Sequence, residues 1–147
     1  SVDPPPEQDR RLRVRRRWLN RRGDEIDPLA VQVGDLIHVE VTLTSRGRSV
    51  IDNVAIVDAL PGGLEVENPR LKTSDAGIES SPADRVQFLD DRVLIFATAT
   101  PQTSTFRYAL RAVTEGTFVR PAVQASCMYD ETQNSLGQSD SVKVIIP

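Results

Sequence analysis

The chain has 147 residues, with 18 Lys+Arg against 21 Asp+Glu, and is 39% hydrophobic and 27% charged, which suits one globular domain able to build its own core. A net charge of -3 lends no support to nucleic-acid binding, and one cysteine and one histidine exclude an internal disulfide framework and most zinc sites. No stretch approaches the ~20 apolar residues of a membrane helix, so direct membrane insertion is not expected.

Residues 1–9 carry three consecutive prolines and a single apolar side chain, Val2. They are expected to be a flexible linker, with one folded domain over 10–147. Charge is uneven: residues 1–22 hold eight arginines and three acids, while the remainder holds ten basic and eighteen acidic groups. Leu12, Val14 and Trp18 alternate with Arg11, Arg13, Arg15 and Arg17, the period-two pattern of a strand with one face buried. The arginines then read as the solvated face of an edge strand, where charge also discourages edge-to-edge pairing, with an acidic protein neighbour as the main alternative and nucleic acid as a remoter one.

The turn Gly34-Asp35 precedes the cleanest strand, in which Ile37, Val39, Val41 and Leu43 oppose His38, Glu40, Thr42 and Thr44. Val54, Ile56 and Asp58 share one parity, so Asp58 is expected to turn inward at the strand end and accept from amides of Leu60 to Leu64. Pro61-Gly62-Gly63 makes a tight connection to a short strand at Leu64 and Val66. Lys72 to Asp84 reads as a loop. Arg85 to Leu89 and Arg92 to Phe96 read as a hairpin about Asp90-Asp91, with a helix capped by Ser81 and begun by Pro82 as the rival. Phe106, Tyr108, Leu110 and Ala112 alternate with Arg107, Ala109, Arg111 and Val113, Glu115-Gly116 turns the chain, and Thr117 to Ala125 continues extended. Val142, Val144 and Ile146 close the domain. The fold class is all-β: an antiparallel β-sandwich of about seven to nine strands.

Chemistry-bearing constellations are sparse. A Cys127–His38 nucleophilic pair would need two distant positions brought together with a third group orienting the ring. The acid pairs Asp24-Glu25, Asp90-Asp91 and Asp130-Glu131 lack the alternating pattern of a calcium loop. Pro61-Gly62-Gly63 lacks the Lys-Ser/Thr of a phosphate loop. Neither a metal nor a cofactor is expected, and no catalytic residue.

Read in order, Val33-Gly34-Asp35-Leu36-Ile37-His38-Val39-Glu40-Val41, Val57-Asp58-Ala59-Leu60-Pro61-Gly62-Gly63-Leu64, Tyr108-Ala109-Leu110-Arg111-Ala112-Val113-Thr114-Glu115-Gly116-Thr117-Phe118 and Met128-Tyr129-Asp130 resemble the C-terminal macroglobulin-like domain of bacterial alpha-2-macroglobulins. The resemblance runs from about Arg13 to Val144 and implies a macroglobulin or fibronectin-III-like sandwich. It implies a non-enzymatic structural and regulatory part of a multidomain protease trap, periplasmic and held at the bacterial inner membrane as a lipoprotein. Its partners would be other domains of the same chain, a thioester domain above all, and target proteases through the whole parent. The isolated domain is expected to be a monomer. The family's thioester motif is Cys-x-Glu-Gln, whereas Cys127 precedes Met128-Tyr129-Asp130, so Cys127 is not that cysteine. By the same resemblance Met128 and Tyr129 are the candidate residues for interdomain contact and thioester shielding. The competing reading is a β-sandwich repeat of a bacterial surface adhesin or stalk protein, which would share the strand before Leu60-Pro61-Gly62-Gly63-Leu64.

Overall fold

The computed structural model describes residues 6–67 and 81–147. Thirteen strands are present among the described residues: β1 (Gln8–Arg10), β2 (Leu12–Leu19), β3 (Val31–Gln32), β4 (Leu36–Ser45), β5 (Ile51–Ala59), β6 (Leu64–Val66), β7 (Arg85–Phe88), β8 (Arg92–Ala99), β9 (Ser104–Ala112), β10 (Gly116–Arg120), β11 (Gln124–Cys127), β12 (Asp130–Leu136) and β13 (Asp140–Ile145). The only helical element among them is a 3-10 turn at Pro28–Ala30, its first free amide accepted by the Asp27 side chain. The strand number exceeds the seven to nine expected because β1, β3 and β6 are two or three residues long, too short to show a period, and because the run Thr117 to Ala125 divides between two strands.

A six-stranded sheet, ordered β1-β12-β11-β5-β8-β7, faces a four-stranded sheet, β2-β4-β9-β6, and β10-β13-β3 forms a smaller third sheet. Pairing is antiparallel except between β13 and β3. The alternating side chains meet where the pattern predicts. Val54, Ile56, Val93, Ile95, Ala97 and Ala125 from the first sheet and Val14, Val39, Val41, Leu43, Phe106 and Leu110 from the second are all buried in one core, each full burial contributing about 1.5–3 kcal/mol for the larger side chains. β7 and β8 form the expected hairpin, closed by the Leu89 amide donating to the Arg92 carbonyl at 2.9 Å. Thr117 to Ala125 is not one continuous strand: β10 and β11 belong to different sheets, and Pro121, lacking an N–H, sits at the switch. Ile146 lies beyond β13 and is exposed. The expected loop falls outside the described residues over 72–80, while Ser81 to Asp84 form no helix.

Order begins earlier than the linker reading allowed. Gln8 and Asp9 belong to β1, paired with Leu136 and Ser135. Asp9 supplies the reason: it accepts both terminal nitrogens of Arg15, at 3.0 and 2.8 Å, and the Ser135 hydroxyl at 2.7 Å. Ser135 Oγ also accepts the Val14 amide at 2.9 Å, and Arg15 Nη1 donates to the Val14 carbonyl at 2.7 Å. The outer edge of β2 is thereby sealed at Val14 by side chains.

Candidate functional site

β5 carries a departure from a regular apolar strand near each of its ends, a buried charge at Asp58 and a bulge between Ile51 and Val54. Its inward parity carries Val54, Ile56 and Asp58, all buried. At the Asp58 end a charge enters the core and must find a counter-charge. The partner is Arg16 of β2, whose Nη1 lies 2.5 Å from Asp58 Oδ1, with both side chains almost wholly buried. Asp58 therefore turns inward as expected, yet it is not held by the turn amides: Leu60 N–H donates to the Asp91 carbonyl and Leu64 N–H to that of Pro61. Arg16 has the inward parity within the arginine run, which the alternation of Arg11, Arg13, Arg15 and Arg17 concealed. Burial pushes the Asp58 carboxyl up, opposed by Arg16 and by the more distant Arg120. Arg120 stacks over the Trp18 ring at 4.7 Å and makes a two-pronged ion pair with Asp140, at 2.6 and 2.5 Å.

Of the other arginines of β2, Arg13 is exposed as expected, whereas Arg15 and Arg17 are not simply solvated. Arg15 pairs with Glu7 at 2.7 Å as well as Asp9, and Arg17 joins Arg107 in holding Glu40, at 2.7 and 3.0 Å. Burial works to raise the Asp9 and Glu40 carboxyls, but the hydrogen bonds and charges of their arginines outweigh it and hold both below their ordinary values. His38, expected on an open polar face, is buried on β4. Cys127 is buried on β11 of the other sheet, its sulfur 3.5 Å from the Asp52 carbonyl. The two residues of the conceivable nucleophilic pair are thus carried by opposite sheets.

At the other end of β5 the core pattern breaks. Ile51 and Val54 both face inward, a spacing of three that a regular strand cannot provide, and the β5–β8 register shifts between them. Asn53 takes up the extra residue with a φ of +59°, a left-handed conformation that Asn tolerates better than most residues. Its carbonyl accepts the Met128 amide at 2.9 Å.

Met128 and Tyr129 form the tip between β11 and β12, where Cys127 pairs with Asp130. They are 47% and 83% exposed. Asp130 braces the far side by accepting the Thr132 amide at 3.1 Å and its hydroxyl at 2.5 Å, and these bonds hold its carboxyl below the ordinary value. The tip presents a thioether and a phenol to the surroundings, which can offer apolar contact with one hydrogen-bonding end. The residues singled out by sequence, Met128 and Tyr129, are brought together here. Asn53 and Arg16 were missed, although the Ile51-Val54 spacing and the parity of Arg16 each carried a signal.

Residues 12–132 match the family model of the Bacterial Alpha-2-macroglobulin MG10 domain. The alpha-2-macroglobulin of Rickettsia conorii is 30% identical over 123 residues, 81% of this chain and 6% of its own length. That of Escherichia coli K12 is 28% identical over 151 residues, covering 92% of this chain and 9% of its own. Among solved structures, Salmonella alpha-2-macroglobulin reacted with methylamine superposes with a TM-score of 0.87 at 25% identity, over 99% of this chain and 10% of that one. The native E. coli protein from domain MG7 to its C-terminus gives 0.86 at 26% identity, over 97% of this chain and 25% of that one. The chain therefore spans less than a tenth of the length of these two curated relatives. A family model that runs from Leu12 to Thr132, through both sheets and the Met128–Tyr129 tip, makes the chain a member of the bacterial alpha-2-macroglobulin MG10 domain family.

Proposed function

We propose that this chain is a non-enzymatic structural and regulatory domain of a protease trap, near the C-terminal part of its parent, which contacts a neighbouring thioester domain through Met128 and Tyr129 and shields the bond from water. The observation that carries the reading is the tip itself: Tyr129 is 83% exposed, so its ring does no work in this domain's core and is available to a neighbour. Large apolar surface held on a braced turn is the usual mark of an interface. A thioester survives only where water is excluded, and a phenol flanked by a thioether provides a deformable apolar cover that can be withdrawn.

Supporting the wider role, solved structures of relatives include E. coli alpha-2-macroglobulin activated by trypsin and by porcine elastase, and the Salmonella protein reacted with methylamine. By this reading target proteases meet the whole parent, and neighbouring domains are the direct partners. The parent is a periplasmic lipoprotein of the inner membrane.

The test is Tyr129→Ala in the full-length parent, following methylamine uptake and free-thiol appearance with time. Loss of the thioester is expected to be about tenfold faster or more, since each ~1.4 kcal/mol removed from a barrier is a factor of ten. Met128→Ala should act in the same direction but less, because neighbours refill a methionine's volume. An unchanged lifetime in the Tyr129 variant would remove the shielding role.

A further inference from the structure

Two-residue hairpin connections favour turns in which the first central residue, or both, has a positive φ. Neither Met128 nor Tyr129 has one, and neither is a residue type that adopts it readily. The Met-Tyr tip is a turn, but not one of the primed turns whose twist matches that of the flanking strands. The ladder records the mismatch: β11 and β12 pair as Ser126 with Asn134 and then Cys127 with Asp130, a register shift at the base of the tip.

Beside the Asp130–Thr132 brace, a second support for the tip lies in another strand. The β5 bulge puts Asn53 at φ +59° and points its carbonyl at the Met128 N–H, 2.9 Å away. The adjoining Asp52 carbonyl receives the buried Cys127 thiol at 3.5 Å, and the Asp52 carboxylate accepts the Thr98 hydroxyl of β8 at 3.2 Å. The bulge is thus tied to the sheet on one side and to the base of the tip on the other. The Asn53 side chain is exposed, so its contribution is made through the backbone. A bulge is a device for re-aiming neighbouring groups, and here the group that it aims is in the turn that follows the neighbouring strand β11.

We propose that Asn53 is a positioning residue for the Met128–Tyr129 tip: its left-handed backbone at the β5 bulge sets the Met128 amide and with it the direction in which Tyr129 is presented. The consequence for thioester protection rests on the shielding function proposed above; the positioning itself does not.

The experiment uses the full-length parent with Asn53→Val, Asn53→Ala and Asn53→Gly, measuring hydrogen exchange at the Met128 amide alongside thioester lifetime by methylamine uptake. Valine is poorly suited to a positive φ, alanine less so, and glycine adopts it freely. Exchange at Met128 should rise about tenfold or more in the valine variant, with alanine intermediate and glycine at the wild-type value. Amides of the neighbouring Ser126–Ala55 ladder should stay protected. Thioester lifetime should shorten in the same order, most in the valine variant and not at all in the glycine variant. Should the valine variant not fold, the alanine and glycine pair decides.

Met128 exchange unchanged by valine and alanine, or raised as much by glycine as by valine, would overturn the positioning role. Exchange that follows the predicted order while Tyr129→Ala leaves thioester lifetime untouched would sink the shielding function and uphold Asn53 as the residue that sets the tip. A lifetime shortened by Tyr129→Ala but not by a variant that frees the Met128 amide would overturn the link between the two.

Discussion

The two ends of β5 solve opposite problems. At Asp58 the strand carries a charge into the core, and the surroundings close over it: Arg16 arrives from the opposite sheet, and the following Pro61-Gly62-Gly63 turn lies against the Phe118 ring, which leaves so little room that a Cβ on Gly63 would fall 2.4 Å from Phe118 and 2.8 Å from the Thr114 carbonyl oxygen. At Asn53 the strand departs from regular geometry and the surroundings open, with Met128 and Tyr129 projecting from a tip that another strand supports. One end uses complementarity for stability, and the other uses a backbone irregularity for presentation. A molecule built this way should tolerate truncation of its exposed aromatic far better than loss of a buried partner.

The largest expected effect is at the closed end. Asp58→Ala leaves the Arg16 guanidinium buried without its counter-charge and should cost about 3–5 kcal/mol, measured by urea unfolding. The double replacement Arg16→Met with Asp58→Leu should recover most of that loss, because apolar residues of similar volume remove the desolvation cost along with the pair. A single-variant cost below about 1 kcal/mol would show that water reaches Arg16.

Gly63→Ala is next. The added methyl group meets a ring and a backbone oxygen, and overpacking of this kind costs about 1–3 kcal/mol. A neutral result would mean that Phe118 moves aside freely.

The outer pairs of β2 should set the response to acid, and with a smaller effect per group. Asp9 and Glu40 are held below their ordinary values of 3.8 and 4.5. Since the folded protein binds these protons less readily than the unfolded chain does, the stability they contribute is present above those values and is lost as pH falls through the depressed ones. Melting temperature should therefore decline below about pH 4, and Glu40→Gln should flatten that decline while lowering stability near neutrality. An acid limb unaltered in Glu40→Gln would assign it to other carboxylates.

At the open end, Tyr129→Ala should change unfolding free energy by less than about 0.5 kcal/mol, the range of ordinary surface positions. A loss of several kcal/mol would identify the tip as part of the core and erase the contrast between the two ends.

Much of the sandwich was legible because half-buried strands impose a period of two. The inward sets Ile37-Val39-Val41-Leu43 and Phe106-Tyr108-Leu110-Ala112 were readable as they stand, and all are buried. The Asp90-Asp91 hairpin was readable from its two flanking runs. Short strands were not: β1, β3 and β6 have three residues or fewer, too few to display a period, and their pairing comes from neighbours. Asp9 looked like part of a linker because its value lies in Arg15 and Ser135, the latter 126 positions away.

For the candidate site the division is sharper. Local sequence determined that Met128 and Tyr129 follow an extended segment and precede a polar one, and that Asp58 shares the parity of Val54 and Ile56. Tertiary structure alone decided that Arg16 meets Asp58 across the core and that the Asn53 carbonyl reaches Met128. Both contacts join distant strands, 42 positions apart in the first case and across the β5–β11 ladder in the second. Periodicity states which way a side chain faces, because that follows from the geometry of a single strand. What it faces depends on which strands lie opposite, and that is set by the packing of the whole core.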